Sequence, residues 1–154
     1  MVNDIQASDF VENILIILSK LPTSLRNPIM KNRLLEFLSF DDVDKNEIIL
    51  NIYLNYTKVN ESSLVPLMES WLTILSEMPN DKINIFFYHY LLVLSLRPSL
   101  LKNFDLKLLD SFLDILMAMP HEIQIKLRDC AFEMILNTPT PDSLKILIPK
   151  KLLM

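Results

Sequence analysis

Few residue types in this chain could do catalytic or metal chemistry. The chain has two histidines, His89 and His121, and one cysteine, Cys130. A zinc site needs a set of thiolates and imidazoles at short spacings, whereas His121 and Cys130 lie nine residues apart and no second cysteine exists. Cys130 also falls on an apolar helical face, where cysteine behaves as a small hydrophobic side chain rather than as a nucleophile. We therefore expect no metal site, no cofactor and no covalent catalysis.

One acidic pair has a spacing that could serve acid–base chemistry. Asp110 and Asp114 are four residues apart, so on a helix their carboxylates share a face and could flank a substrate. Such pairs more commonly solvate an exposed helix face. The expected protein is not an enzyme, and a helical enzyme that uses this acidic pair is the second alternative.

The composition excludes several function classes. The 154 residues include nine prolines and no glycine, which argues against P-loops, Rossmann loops and tight β-hairpins, because each depends on glycine. Hydrophobic residues make up 51% and the mean hydropathy is +0.29, so we expect apolar surface that is reserved for a partner. The net charge of −4 gives no overall attraction to nucleic acid or to anionic lipid.

The same features bear on the compartment. A lone cysteine cannot form an intramolecular disulfide, and no N-terminal stretch has the form of a secretory signal. The longest apolar run, from Ile83 to Leu96, is shorter than the ~20 residues that a spanning helix needs. We expect a cytoplasmic or nuclear protein without a membrane span.

Apolar residues recur at helical spacing along most of the chain, and prolines and polar capping residues separate the segments. The pattern predicts an all-α fold of about seven to eight helices in one domain, residues 1–154. Helix pairs are expected at about 9–40, 63–98 and 105–139, with an extra helix at about 44–58 and an apolar C-terminal helix at about 142–154. The predicted N-caps include Asp9, Asp44, Ser63 and Asp105, and Met1 to Ala7 is predicted to be a frayed leader.

A repeat organises the helices. The segment 68–79 recurs as 109–120, with its acidic, serine, aromatic and final Met-Pro positions, and recurs more loosely as 11–22. The intervals from Pro79 to Pro120 and from Pro98 to Pro139 are both 41 residues, so both helices of a pair keep the register. Trp71 and the two residues at the same repeat position, Phe112 and Ile14, are predicted to be the core wedge between neighbouring pairs.

A period near 40 residues with two antiparallel helices per unit is typical of helical solenoids. The segment 127–136, LRDCAFEMIL, is similar to the second helix of a HEAT unit through its aliphatic-Arg-x-x-Ala pattern. From Val11 to Pro139 the chain resembles the HEAT/armadillo-type helical-repeat (α-solenoid) family. The array is irregular, since Pro22 and Pro79 are 57 residues apart and the extra helix lies between them. An irregular HEAT-like stack of antiparallel pairs is therefore expected.

In HEAT-type solenoids the second helix of each pair lines the concave side, so the resemblance implies a partner groove there. Alignment on the prolines places Lys31, Tyr88 and Asp129 at one shared position, with Lys126 and Arg128 beside it. We expect this stripe to bind a partner, and the alternative is a mixed charged surface that binds nothing.

The expected function is a non-enzymatic protein–protein interaction scaffold or adaptor, a subunit of a hetero-complex or homo-oligomer. It would bind through the concave second helices or through the apolar C-terminal end, residues 144–154, which either folds back as a cap or docks on a partner. The alternative is a nucleic-acid-associated helical-repeat protein that uses Lys31, Lys82, Lys126 and Arg128.

Overall fold

The protein is helical through the part that the structure describes. The structure is a computed structural model that describes the backbone of residues 4–147 and the side chains of residues 11–145. This range contains eight α-helices, two 3-10 segments and no strand. The predicted all-α class with seven to eight helices is therefore confirmed. The chain divides into two compact units, Met1–Glu77 and Met78–Met154.

The first unit contains four helices: α1 (Asp4–Lys20), α2 (Thr23–Leu38), α3 (Asp42–Asn55) and α4 (Glu61–Ser76), with a 3-10 turn at Tyr56–Lys58. Helix α1 packs mainly against α3 and also against α4, while α2 packs against α4. The core is built from aliphatic and aromatic side chains at helical spacing, which are Val11, Leu18, Met30, Phe37, Ile49, Val59, Leu64, Leu67, Leu72, Ile74 and Leu75.

The second unit contains α5 (Asn80–Leu96), α6 (Pro98–Lys102), α7 (Leu106–Met117) and α8 (His121–Leu136), followed by a 3-10 segment at Pro141–Leu147. We call the last element the C-terminal segment. Helix α5 packs mainly against α8, and the C-terminal segment contacts both of these helices. Buried residues of this unit include Ile83, Phe86, Val93, Leu94, Leu113, Leu116, Leu127, Ile135 and Leu144.

Helices α5 and α8 run in the same direction. The Lys126 amine, in the second turn of α8, donates a 2.7 Å hydrogen bond to the Met78 carbonyl, two residues before α5 begins. The starts of both helices are therefore close together. These are the second helices of two successive predicted pairs, and parallel packing of such helices is the arrangement that a helical repeat requires.

Two helices begin earlier than predicted, because a side-chain oxygen earlier in the chain accepts the hydrogen bond that caps the helix. Helix α3 begins after Asp41, whose carboxylate accepts from the Asp44 amide at 2.8 Å, so the predicted cap Asp44 is the third helical residue. Helix α4 begins after Asn60, whose Oδ1 accepts from the Ser63 amide at 2.9 Å. The prediction for Asp105 is confirmed, since its Oδ1 accepts from the Lys107 amide at 2.9 Å.

The ends of the chain also differ from prediction. Helix α1 already begins at Asp4, so Asp9 lies inside it and residues 4–7 are not a leader. Pro98 starts the short helix α6, which the sequence analysis missed by reading this proline only as a stop. The described part of the predicted C-terminal helix is a 3-10 segment, while residues 1–3 and 148–154 lie outside the described residues.

The boundary between the units, after Glu77, falls between the two helices of the predicted second pair. Each unit is therefore considered separately below. The single helical-repeat domain over residues 1–154 stays a prediction.

The core position that the repeat copies share is a leucine rather than an aromatic residue. The predicted wedge residues Trp71, Phe112 and Ile14 are only half-buried. Four residues before each repeat proline, every copy instead has a buried leucine, namely Leu18, Leu75 and Leu116. Burial is therefore most complete at this shared leucine, while the role of Trp71, Phe112 and Ile14 as a wedge between neighbouring pairs stays a prediction.

The helix corners are closed without glycine. Helices commonly end on a glycine in the left-handed region, because the last carbonyls need donors from such a turn. No described residue has a positive φ. Backbone amides still donate to the last helical carbonyls, as Ser39 N does to Glu36 O and Ala118 N does to Asp114 O, and side chains add further donors. In three corners the side-chain donor lies five residues after the carbonyl that it caps. These bonds are Arg26 Nη1 to Leu21 O at 2.8 Å, Lys45 Nζ to Phe40 O, and Gln124 Nε2 to Met119 O at 2.8 Å.

The corner after α4 has no donor at that spacing, because Ile83 stands there. Lys126 reaches the Met78 carbonyl from α8 instead. Cations at these points are favourable because the C-terminal end of a helix carries partial negative charge. The basic side chains Arg26 and Lys45 are consequently buried, which sequence analysis alone did not predict.

Candidate binding surface

The residues with catalytic potential are not assembled into a site in the described chain. His89 is buried on α5 and meets the neighbouring Tyr88 ring edge-on, with centroids 5.3 Å apart, whereas His121 is exposed at the start of α8. Asp110 and Asp114 are both exposed on α7. Within residues 11–145 no group of three or more His, Cys, Asp or Glu side chains is arranged to hold a metal ion. The alternative of a helical enzyme that uses Asp110 and Asp114 gains no support from this arrangement.

The thiol of Cys130 is buried in the second unit. Burial raises its pKa, and the negative charges of Glu133 and Asp129 raise it further, while Lys126 lowers it. A raised pKa keeps the thiol protonated at neutral pH and therefore poorly nucleophilic. This environment matches the predicted role of Cys130 as a core side chain.

The predicted partner stripe is divided between the two units. Lys31 lies exposed on α2 of the first unit, while the other four residues lie on α5 and α8 of the second unit. Tyr88 is half-buried, and the Lys126 amine is engaged by the Met78 carbonyl. Arg128 lies 3.5 Å from the exposed Asp129 carboxylate. The stripe as a whole stays a prediction, but only Lys31 and the Arg128–Asp129 pair present charge outward.

Two of the lysines that the nucleic-acid alternative would use already contact other groups of the protein. Lys82 lies 3.9 Å from the Asp81 carboxylate, and Lys126 caps the corner after α4. Lysines that neutralise phosphates release the cations condensed around a nucleic acid, and a lysine that is already paired with a protein group contributes less to this effect. No observation in the described chain favours this alternative over a protein partner.

Helix α2 carries the most exposed apolar face of the first unit. Its inner side buries Arg26, Met30 and Phe37, which recur at helical spacing. The outer side leaves Leu25, Ile29 and Leu35 with 54%, 43% and 49% of their surface exposed. Leu25 and Ile29 are one turn apart, and Leu35 lies on the same outward half of the helix. The sequence pattern predicts Lys31 on this face but not its apolar residues, because exposed and buried leucines of a helix have the same sequence signal.

This face is also basic. Helix α2 carries Arg26, Lys31 and Arg33 and one acidic residue, Glu36, and its first turn has no acidic side chain. Arg33 forms a 3.1 Å ion pair with Glu36 on the exposed side. Arg26 is turned inward, whereas Lys31 is exposed one helical turn before Leu35. Exposed apolar side chains with a cation beside one of them suit a partner surface that is apolar and acidic.

In the second unit the exposed apolar residues lie near helix ends instead of along a face. They are Leu96 at the end of α5, Leu106 and Met117 at the two ends of α7, and Leu136 at the end of α8. Scattered residues of this kind are normal on protein surfaces. They make a weaker candidate interface than α2.

The structure shows where part of the apolar C-terminal end lies. Leu144, in the C-terminal segment, is fully buried, so the described part folds back on the second unit as one of the two predicted outcomes. The remaining residues of that end, 148–154, lie outside the described residues. In the part of the chain that the structure covers, no helix is both long and apolar enough to cross a membrane.

Comparisons of the chain with protein families, with curated proteins and with solved structures found no match. The resemblance to HEAT and armadillo repeats therefore stays a prediction from the sequence pattern.

Proposed function

We propose that the chain is a non-enzymatic interaction subunit that binds another protein through the outward face of α2. The observation that carries this proposal is the exposure of Leu25, Ile29 and Leu35 along one helix. Each exposed leucine or isoleucine would gain roughly 25 cal/mol for every Å² of apolar surface that a partner covers. A helix that leaves three such side chains in water, while its inner face is well packed, favours a protein-binding role.

The kind of partner follows from the chemistry of this face. The face offers two apolar residues one turn apart, a third nearly opposite the core, and the cation of Lys31 one turn before that third residue, Leu35. A complementary surface is an apolar helix face or groove that places a carboxylate near Lys31. The parallel packing of α5 and α8 supports the related proposal that the helices form a repeat scaffold.

The test compares two variants that carry charged substitutions at exposed sites in the first unit. Leu25→Asp combined with Ile29→Asp alters the α2 face, and Leu54→Asp alters the outward side of α3, where Leu54 is 52% exposed. The tagged full-length variants are purified from their native cell after chemical cross-linking, and the associated proteins are quantified by mass spectrometry.

The α2 variant is expected to lose a defined set of associated proteins that wild type and the α3 variant both retain. Far-UV circular dichroism verifies that all three chains remain helical. Recovery of the same proteins in the same amounts by both variants would refute the assignment of the α2 face.

A further inference from the structure

We propose that the protein partner of the α2 face is anchored by a tyrosine or tryptophan side chain, whose ring covers Leu25 and Ile29 and whose O–H or N–H donates to the Ser24 carbonyl. This inference rests on the proposed function, because it specifies the side chain that the α2 face would receive. The observation behind it is a proline inside the helix. Pro28 lies five residues after Thr23, the first residue of α2, and is exposed.

Pro28 leaves one backbone acceptor of α2 without its helical donor. In an α-helix each carbonyl accepts a hydrogen bond from the amide four residues later, and proline has no amide hydrogen. The Ser24 carbonyl therefore lacks this bond, whereas the Pro22 carbonyl accepts from the Arg26 amide at 2.8 Å. The proline ring also crowds that carbonyl, and carbonyls on the solvent side of a helix tilt toward water. The Ser24 carbonyl is thus an acceptor for a donor from outside the helix.

This acceptor lies within the apolar face of α2. Residues three, four and seven positions apart share one side of a helix. Four exposed residues at such spacings form a stripe, namely Ser24, Pro28, Lys31 and Leu35. Leu25 and Ile29 adjoin this stripe, since each directly follows one of its residues, and both are exposed. A partner that covers Leu25 and Ile29 therefore also covers the Ser24 carbonyl.

The acceptor restricts the side chain that can cover it. Burial of an acceptor without a donor weakens binding by roughly 5- to 150-fold, which disfavours an aliphatic or phenylalanine anchor. A lysine or arginine anchor brings a donor, but its charge meets the like charge of Lys31, one turn after Pro28. Small polar side chains bring a donor but too little apolar surface to cover Leu25 and Ile29. Tyrosine and tryptophan combine a large apolar ring with a donor.

The test selects random peptides displayed on phage against the full chain, after depletion on the chain that carries Leu25→Asp with Ile29→Asp. Peptides that bind only wild type are expected to be enriched in tyrosine or tryptophan relative to the unselected library. One such peptide is synthesised in two forms, with its anchor intact and with the donor removed, by tyrosine to phenylalanine or by methylation of the indole nitrogen. Isothermal titration calorimetry measures the affinity of both forms.

Removal of the donor should weaken binding to wild type by about 2- to 10-fold. In Pro28→Ala the new amide can donate to the Ser24 carbonyl, so both peptide forms should bind this variant equally. Pro66→Ala is the matched control, because Pro66 also lies inside a helix, α4, and its replacement leaves the backbone donors of α2 unchanged. The difference between the two peptide forms should persist in this control.

Three results would overturn the inference. They are selection of α2-dependent peptides whose anchors are aliphatic or phenylalanine, a donor effect that is undiminished in Pro28→Ala, and no α2-dependent peptide at all. The first two results leave α2 as a protein-binding face and reject only the aromatic donor. The proposed function fails by a different measurement, namely retention of every cross-linked protein by the Leu25→Asp, Ile29→Asp chain.

Discussion

Replacement of Arg26 tests the idea that side chains close the helix corners in this glycine-free protein. The Arg26 residue is 6% exposed. Its Nε donates to the Ser70 hydroxyl at 2.8 Å, its Nη1 to the Leu21 carbonyl at 2.8 Å and its Nη2 to the Thr23 hydroxyl at 3.0 Å. It thus joins the start of α2 to the middle of α4, a residue 44 positions away, and caps the chain after α1.

The expected effect of Arg26→Met follows from these three bonds. Hydrogen bonds from a charged donor contribute about 1.5–3 kcal/mol each, but Thr23 is exposed and water can replace its bond. Methionine keeps most of the alkyl chain, and removal of a buried charge recovers part of its desolvation penalty. The net loss of unfolding free energy should be about 2–4 kcal/mol, chiefly from the buried Ser70 hydroxyl and the Leu21 carbonyl.

Arg33→Met is the matched control on the same helix. Arg33 forms an ion pair with Glu36 at 3.1 Å, and its side chain is 47% exposed. Exposed pairs contribute about 0–1 kcal/mol, so this variant should unfold almost like wild type. The measurement is equilibrium unfolding in urea, followed by circular dichroism and by the fluorescence of Trp71, the only tryptophan, which adjoins Ser70 on α4.

A double-mutant cycle with Ser70→Ala identifies the bond that matters. If Arg26 and Ser70 act through their hydrogen bond, the two losses should be non-additive by about 1–2 kcal/mol. The reasoning would be refuted if Arg26→Met stayed within about 0.5 kcal/mol of Arg33→Met, or if the cycle showed no coupling. Either outcome would show that the Arg26 side-chain bonds are not needed to hold this corner.

Three further predictions test other parts of the molecule. Leu75→Ala should destabilise the protein by about 2–5 kcal/mol in urea unfolding, whereas Leu54→Ala at an exposed site should change it by less than about 0.5 kcal/mol; equal effects would contradict the shared leucine position. Lys126→Met should lower the unfolding free energy by about 1–2 kcal/mol through loss of the bond to the Met78 carbonyl, and an unchanged midpoint would show that this corner needs no donor. Burial raises the pKa of the Cys130 thiol above its usual 9.0, so the contribution of this thiol to stability is complete below pH 9 and is lost as the pH rises through the folded-state pKa. Cys130→Ala should therefore lose less stability than wild type between neutral and alkaline pH. Parallel plots of unfolding free energy against pH for the two proteins would argue against a buried thiol.

Local sequence signals predicted where most helices lie, but they did not predict which side of each helix is buried. Prolines and side-chain oxygens act within one turn of the chain, so the ends of α2, α5 and α8 and the Asp105 cap could be predicted from spacing. The N-caps of α3 and α4 were each predicted three residues too late, because several side-chain oxygens compete for the same amides. The aromatic wedge at Trp71 stays a prediction, since similarity between repeat copies does not say which flank of a helix is covered.

The candidate surface was predictable only in part. Lys31 could be assigned to a second helix, but the exposure of Leu25, Ile29 and Leu35 depends on which side of α2 meets α4. Lys126 was expected to face a partner, and it bonds instead to a carbonyl 48 residues earlier in the chain. A lysine has the same local sequence signal in either role.

By itself, the sequence determined an all-α chain, the approximate limits of most helices and corners that cannot use glycine. These properties depend on interactions between residues within a turn or two of each other. The tertiary structure decided which cations close those corners, which leucines remain in water and that Leu144 returns to the groove between α5 and α8. Each of these outcomes joins elements distant in sequence, and the same side chain can be buried or exposed according to the helix that packs against it.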